Sequence, residues 1–297
     1  MEFTNFKTLV REEVERRAGK NYSVRLNDVM KNNGVVLSGL TVMQDDSNIS
    51  PTIYLNDYYK EYENGQTTLG MVINDVMDAY NRNKVNRKLD MRYFLNYEHV
   101  KDKIVLKLIN TEKNKELLSD IPHMEFLDLS IVFQVLISDT NIGGASVMIH
   151  NAHAKLWGVD HNELYKCALK NTPKLLKYEI KGMNDVICEI LETDKARVPY
   201  CSELPMYVLS NNRRIDGAAC MIYPQLIADF AKAIGGDVYI IPSSVHELLL
   251  LPVWAADNGE GLIDIIKEVN ETQLLTEEIL SDSLYIYDYK EKEIKIF

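Results

Sequence analysis

No run in the 297-residue sequence approaches the 18 or so consecutive apolar residues that a membrane-spanning helix requires. The longest, residues 248–254, is short and contains Pro252. The opening stretch, MEFTNFKTLVREEVERRAGK, has no apolar signal core and mixes acids with bases, so the sequence reads as cytoplasmic rather than exported. Cysteine is scarce, and Cys167, Cys188, Cys201 and Cys220 include no Cys-x-x-Cys pair. That spacing argues for reduced structural thiols rather than a disulfide frame or a zinc cluster. Gly-x-x-x-x-Gly-Lys, Gly-x-Gly-x-x-Gly and Gly-x-Ser-x-Gly are all missing, which removes the usual phosphate cradles and the nucleophile elbow. No cofactor and no metal is expected.

Positive charge is also short. Asp and Glu outnumber Lys and Arg by 44 to 33, a net charge of −11, which disfavours direct binding to nucleic acid or anionic lipid because phosphates are repelled. The imbalance is uneven. Residues 247–297 hold twelve acids against four lysines, a balance of −8 that leaves only −3 for the rest. A solvated helix face is the ordinary meaning of such an acidic end. A basic partner, or mimicry of nucleic acid, is the pointed one.

What is present suits a globular core, since 46% of residues are hydrophobic and 26% charged. Residues 3–17 repeat with helical period, placing Phe6, Leu9, Val10 and Val14 on one side. Residues 23–44 read as a β-hairpin turning at Asn32-Asn33-Gly34. A polar break follows at 45–51, then a short helix over 55–62 and a longer one over 69–81 capped by Thr67 or Thr68. Its stripe is Leu69, Val72, Ile73, Val76, Met77 and Tyr80. Residues 103–109, 128–138 and 145–150 suggest a second sheet region. Asp160 reads as the cap of a helix with Glu163 at the capping-box position and Pro173 near its end. Helices are also expected over 180–191, 225–234 (closed by Gly235-Gly236) and 262–270, and a terminal hairpin over 284–297 turning near Lys290-Glu291. Helices and strands mix without a strict βαβ rhythm. The fold class is therefore α+β: mixed or antiparallel sheets with packed helices, an N-terminal helix plus β-hairpin, and a C-terminal β-hairpin. The expected division is a helix/hairpin/helix region over 1–90 and a larger α+β region over 91–297, joined at the basic segment 84–90, unless one domain runs through both.

The segment from Met206 to Trp254 draws the most attention. Strand-like runs at 206–209 and 238–242 enclose an amphipathic helix. Two polar segments flank that unit. Asn211-Asn212-Arg213-Arg214-Ile215-Asp216-Gly217 sets adjacent arginines after a strand, suited to a phosphate or carboxylate, although Asn-Asn and Asp-Gly also mark plain turns. Ser243-Ser244-Val245-His246-Glu247 combines hydroxyls, an imidazole and a carboxylate at a strand end. A hydrolase would use His246 with Ser243 or Ser244 and an acid such as Glu247 or Asp216; a polar turn is the ordinary alternative. His150 and His153, three apart, suit two metal ligands with Asp160, His161 or Glu163 as a third, or are simply surface histidines. Tyrosines between Tyr54 and Tyr62 sit beside acids and lean toward a binding surface; those between Tyr285 and Tyr289 suit a strand.

Three stretches, HAKLWGVDHNELYKCALKNTPKL, MYVLSNNRRIDGAACMIYP and GDVYIIPSSVHELLLLP, together resemble an uncharacterised protein family of Gram-positive gut bacteria, defined only as a domain of unknown function and often found near mobile-element genes. A more distant likeness, through Asn171-Thr172-Pro173, is to another uncharacterised bacterial family. The resemblance implies a bacterial accessory or host-interaction role and brings no activity, so no catalytic residue is carried over.

The reading is a binding protein rather than an enzyme, with another protein as partner. Arg213, Arg214, Asp216, Ser243, Ser244, His246 and Glu247 form the candidate surface. The alternatives are the His246 hydrolase and the acidic nucleic-acid mimic. Whether a small-molecule ligand exists is left open by the sequence.

Overall fold

A computed structural model describes residues 1–45, 47–84, 91–137, 145–191, 204–256 and 258–297. The described residues fall into two compact units, those up to Tyr93 in the first and those from Phe94 onward in the second. Of the segment 84–90, expected as a joint, residues 85–90 lie outside the described residues.

In the first unit, helix α1 (Phe3–Ala18) buries Phe6, Val10 and Val14 completely. Each such side chain stabilises by roughly 1.5–3 kcal/mol on transfer from water. Leu9, expected on the same face, is exposed instead, because it falls on the flank of the narrower stripe at positions 6, 10 and 14. Strands β1 (Tyr22–Met30) and β2 (Val36–Gln44) form an antiparallel hairpin in continuous register. Its turn uses Asn33 (φ 59°) and Gly34 (φ 69°), the two residues that tolerate left-handed backbone. Strand β3 (Thr52–Tyr54) adds to β2, and helices α2 (Asn56–Glu63) and α3 (Leu69–Asn83) complete the unit. Thr68 caps α3 by accepting the Met71 N–H at 3.3 Å. Tyr58, Tyr59 and Tyr62 are half-buried and pack against the core, Tyr59 and Tyr62 lying 5.2 and 5.3 Å from the Phe6 ring. The ammonium of Lys31 covers the Tyr54 ring.

The second unit opens with a short helix, α4 (Tyr97–Val100), followed by β4 (Ile104–Asn110) and a second short helix, α5 (Lys115–Leu118). Strands β5 (His123–Phe126), β6 (Leu129–Leu136) and β7 (Ser146–Met148) join β4 in an antiparallel sheet in which β6 is central and wholly buried. Helices α6 (Asn151–Trp157) and α7 (His161–Leu175) follow, the latter packed on β4. Asp160 caps α7 by accepting the Glu163 N–H at 2.8 Å, and Asn171 and Thr172 turn inward to hold backbone of residues 101–106. Residues 178–182 are a strand, β8 (Tyr178–Gly182), and not the start of a helix; helix α8 covers only Met183–Ile190. Pairing of Tyr178 with Asn211 and Gly182 with Tyr207 decides this: a partner remote in sequence overrides local helical periodicity.

The remaining elements are β9 (Tyr207–Asn211), a 3-10 helix (Gly217–Ile222), α9 (Leu226–Ile234), β10 (Val238–Ser244), β11 (Glu247–Pro252), α10 (Glu260–Thr272), β12 (Tyr285–Asp288) and β13 (Glu293–Ile296). The second sheet runs β13-β12-β10-β11-β9-β8, every neighbour antiparallel. Gly235 ends α9 in left-handed conformation, returning its N–H to Ala231. The fold is α+β with antiparallel sheets among the described residues, and the 3-10 helix touches β4 of one sheet and β9 and β11 of the other. That bridge sets the position of the candidate site.

Candidate functional site

The loop leaving β9 and the β10–β11 turn lie against each other. Asn211 is almost fully buried and acts as a staple. Its Oδ1 accepts the Arg213 N–H at 2.9 Å, its carbonyl accepts the Arg214 N–H at 2.9 Å, and its Nδ2 donates to the Ile215 carbonyl at 2.7 Å. Arg214 (φ 52°) and Asp216 (φ 53°) both occupy left-handed backbone, which costs about 1–3 kcal/mol for an L side chain and persists only when the surroundings enforce it.

The enforcement comes from below. The Asp216 carboxylate takes Lys107 Nζ of β4 at 2.9 Å on one oxygen and Gln134 Nε2 of β6 at 2.7 Å on the other, while Ser146 of β7 bonds Gln134 Oε1. Asp216 and Lys107 side chains keep only 12% and 20% exposure, so the charge is paired where water is scarce. A cavity of about 20 Å³ lies among Leu106, Gln134, Ser146, Arg213 and Asp216, room for a single water molecule. Above this network Asn212, Arg213, Arg214 and Ile215 are exposed. Arg214 reaches Glu189 of α8 at 3.4 Å, and the Arg213 guanidinium forms no ion pair among the described residues.

The β10–β11 turn meets the loop through His246. Its Nδ1 accepts the Asp216 N–H at 3.1 Å, and its carbonyl accepts the Ser210 hydroxyl at 2.7 Å. Gly217 fits between them, because a Cβ there would run into Ser210 Oγ and the His246 carbonyl. Ser244 Oγ accepts the His246 N–H at 3.0 Å, and Ser243 donates to Glu247 at 3.3 Å. These contacts describe a structural turn. A nucleophilic serine needs an imidazole nitrogen as acceptor and a carboxylate at Nδ1. Here Nδ1 is itself the acceptor of a backbone N–H, and neither Ser243 nor Ser244 is bonded to the ring.

His150 and His153 touch, with ring centroids 5.6 Å apart. His150 Nδ1 lies 2.7 Å from Asp120 Oδ2, and His153 Nδ1 accepts the His150 N–H at 3.0 Å. Burial, then the neighbouring His150, holds the His153 imidazole below its ordinary pKa. Both rings thus secure the start of α6, and among the described residues no group of three or more His, Cys, Asp or Glu side chains is placed to hold a metal. Cys167, Cys188 and Cys220 are free thiols, and Cys201 lies outside the described residues. Burial pushes the Cys220 thiol up to about 12 and raises Cys167 as well, the opposite of what a nucleophilic cysteine needs.

Of the acids in residues 247–297, Glu260, Asp264, Glu268 and Glu271 share one exposed face of α10. Asp282 pairs with Lys113, and Asp288 and Glu293 pair with Lys295. The row formed by those four is one helix long.

Lys107, Gln134 and Ser146 belong to the site and are not among the residues read from the sequence. A solitary Lys in IVLKLIN and a solitary Gln in IVFQVL were the available signals, since a polar residue in a buried strand requires a partner. No helix among the described residues is long and apolar enough to cross a membrane. No curated protein and no solved structure matches the chain. A family model does, over residues 3–289, and its description is a family of unknown function, DUF5688. With nearly its whole length matched, the chain belongs to that family.

Proposed function

We propose that the chain is a non-catalytic accessory protein, in the mobile-element setting the resemblance implies, that engages another protein through the 211–217 loop and the adjoining β10–β11 turn. One observation carries this reading. A loop with two left-handed non-glycine residues is fixed from beneath by Asn211 and by the Lys107–Asp216–Gln134 network, while Arg213, Arg214 and Ile215 stand exposed on it. Backbone strain held in this way favours a functional segment over a passive turn. Binding to a preordered loop avoids the entropy of ordering it, and arginine beside an apolar side chain suits the centre of an interface. The complementary partner surface carries carboxylates, which arginine meets with two parallel hydrogen bonds.

The test is affinity capture from the native host with the wild-type chain and with the Arg213→Ala, Arg214→Ala double variant. A saturable partner lost from the double variant at unchanged Tm is the expected result. Retention of that partner by the double variant would sink the assignment.

A further inference from the structure

We propose that the second unit contains a separate binding site, an aromatic cleft that takes a small organic acid by its apolar body and holds the carboxylate at Lys292. The cleft, about 360 Å³, lies where the 3-10 helix, the first turn of α9, strands β5 and β6 and the β12–β13 hairpin meet. Its volume is within the usual range for small-molecule sites. The lining mixes apolar and polar surface, with Phe126, Tyr165, Met221, Tyr223 and Tyr287 as its large aromatic and thioether side chains and Gln225 and Lys292 as its amide and ammonium.

Charge selects the ligand. Lys292 is the only charged side chain of the lining. Two carboxylates of the hairpin are engaged by another residue, since Lys295 takes Asp288 at 3.5 Å and Glu293 at 2.8 Å, and Glu291 is exposed and outside the lining. The Lys292 ammonium forms no ion pair among the described residues. Its backbone is fixed, with φ 59° and its N–H bonded to the Asp288 carbonyl at 2.8 Å. A cation left unneutralised at the edge of an aromatic cleft complements one negative charge on an apolar body. A lone ammonium balances a carboxylate better than a phosphate dianion. Asp229, next along α9, is not part of the lining, and its charge is felt at Tyr287 on the cleft wall.

The cleft shares no lining residue with the 211–217 loop, so this site stands or falls independently of the protein-binding reading. Indole-3-propionate and its uncharged counterpart indole-3-propanol are suitable probes, titrated calorimetrically into the full chain. The acid should bind saturably, one per chain. Lys292→Gln, on an exposed turn, should weaken the acid on the order of tenfold, as expected for loss of a charge-assisted hydrogen bond, and leave the alcohol unchanged. Ala228→Trp, which fills the cleft, should abolish binding of both at unchanged Tm. The proposal is overturned by no saturable binding of the acid to the wild type, by equal weakening of acid and alcohol in Lys292→Gln, or by undiminished binding in a folded Ala228→Trp.

Discussion

Lys107 Nζ meets Asp216 Oδ1 at 2.9 Å, tying the middle of strand β4 to the left-handed corner of the loop after β9. Removing the lysine leaves a carboxylate that is 12% exposed with only Gln134 to balance it. Breaking a fully buried pair costs about 3–5 kcal/mol; residual solvent access lowers the expectation for Lys107→Met to roughly 2–3 kcal/mol by urea denaturation. Adding Asp216→Asn should recover part of that loss, because the stranded charge is gone while Asn tolerates the same backbone. A Lys107→Met variant as stable as wild type would show that the pair does not hold the loop.

Asp128 anchors the approach to the C-terminal hairpin in a similar way. Its carboxylate accepts hydroxyls from Ser281 at 2.6 Å, Ser283 at 3.0 Å and Tyr285 at 2.7 Å. Tyr285 is fully buried, and burial, with the nearby Asp128 charge, raises its phenol pKa. Tyr285→Phe should cost about 1.5–3 kcal/mol, the range for a hydrogen bond to a charged group. The raised pKa adds a pH signature. The folded state keeps the phenol proton, so its contribution is complete below the unfolded value of 10.0 and is lost as pH rises above it. Denaturation midpoints between pH 8 and 11 should therefore fall more steeply for wild type than for Tyr285→Phe; parallel curves would contradict the assignment.

His153 makes the opposite test at acid pH. Its Nδ1 accepts the His150 N–H, which demands the neutral ring, and its pKa lies below the ordinary 6.5. The contribution is thus present above pH 6.5 and is lost as pH falls toward the lowered folded value. Gln at the same position of the helix can accept the same N–H without titrating. Tm measured from pH 8 to pH 5 should drop less in His153→Gln than in wild type, and an identical drop in both would remove His153 from the account.

Much of this architecture is written locally, and the residues that resist reading are those whose partners are remote. The β1–β2 hairpin is legible because Asn33 and Gly34 occur where a turn needs positive φ. Asp160 announces the start of α7 for the same kind of reason, since the residues it caps are its own neighbours. Strand β8 reads as helix because its Glu, Ile and Lys suit either conformation, and only pairing with β9 decides. Strand β5 goes unread because its turn into β6 places Leu127, rather than Gly or Asn, at φ 58°. Among the site residues, His246 and Asp216 are visible as polar groups at strand ends, but the bond between them is not. Nothing local indicates that Lys107 and Gln134 share one carboxylate supplied by a loop more than 80 residues further on.

Gly217 gives the sharpest steric test of that convergence. Its missing side chain leaves space for both the Ser210 hydroxyl and the His246 carbonyl, which are bonded to each other at 2.7 Å. Gly217→Ala should destabilise by about 1–3 kcal/mol, as overpacking of a close-fitted site does. Adding Ser210→Ala removes the hydroxyl but not the backbone carbonyl of His246, so the double variant should regain little. Chemical denaturation of the two variants distinguishes the cases. Full recovery in the double variant would mean that the serine alone sets the fit. Persistent loss would mean that the β10–β11 turn is pressed against the loop by its backbone, and that Gly217 is required wherever the two segments meet.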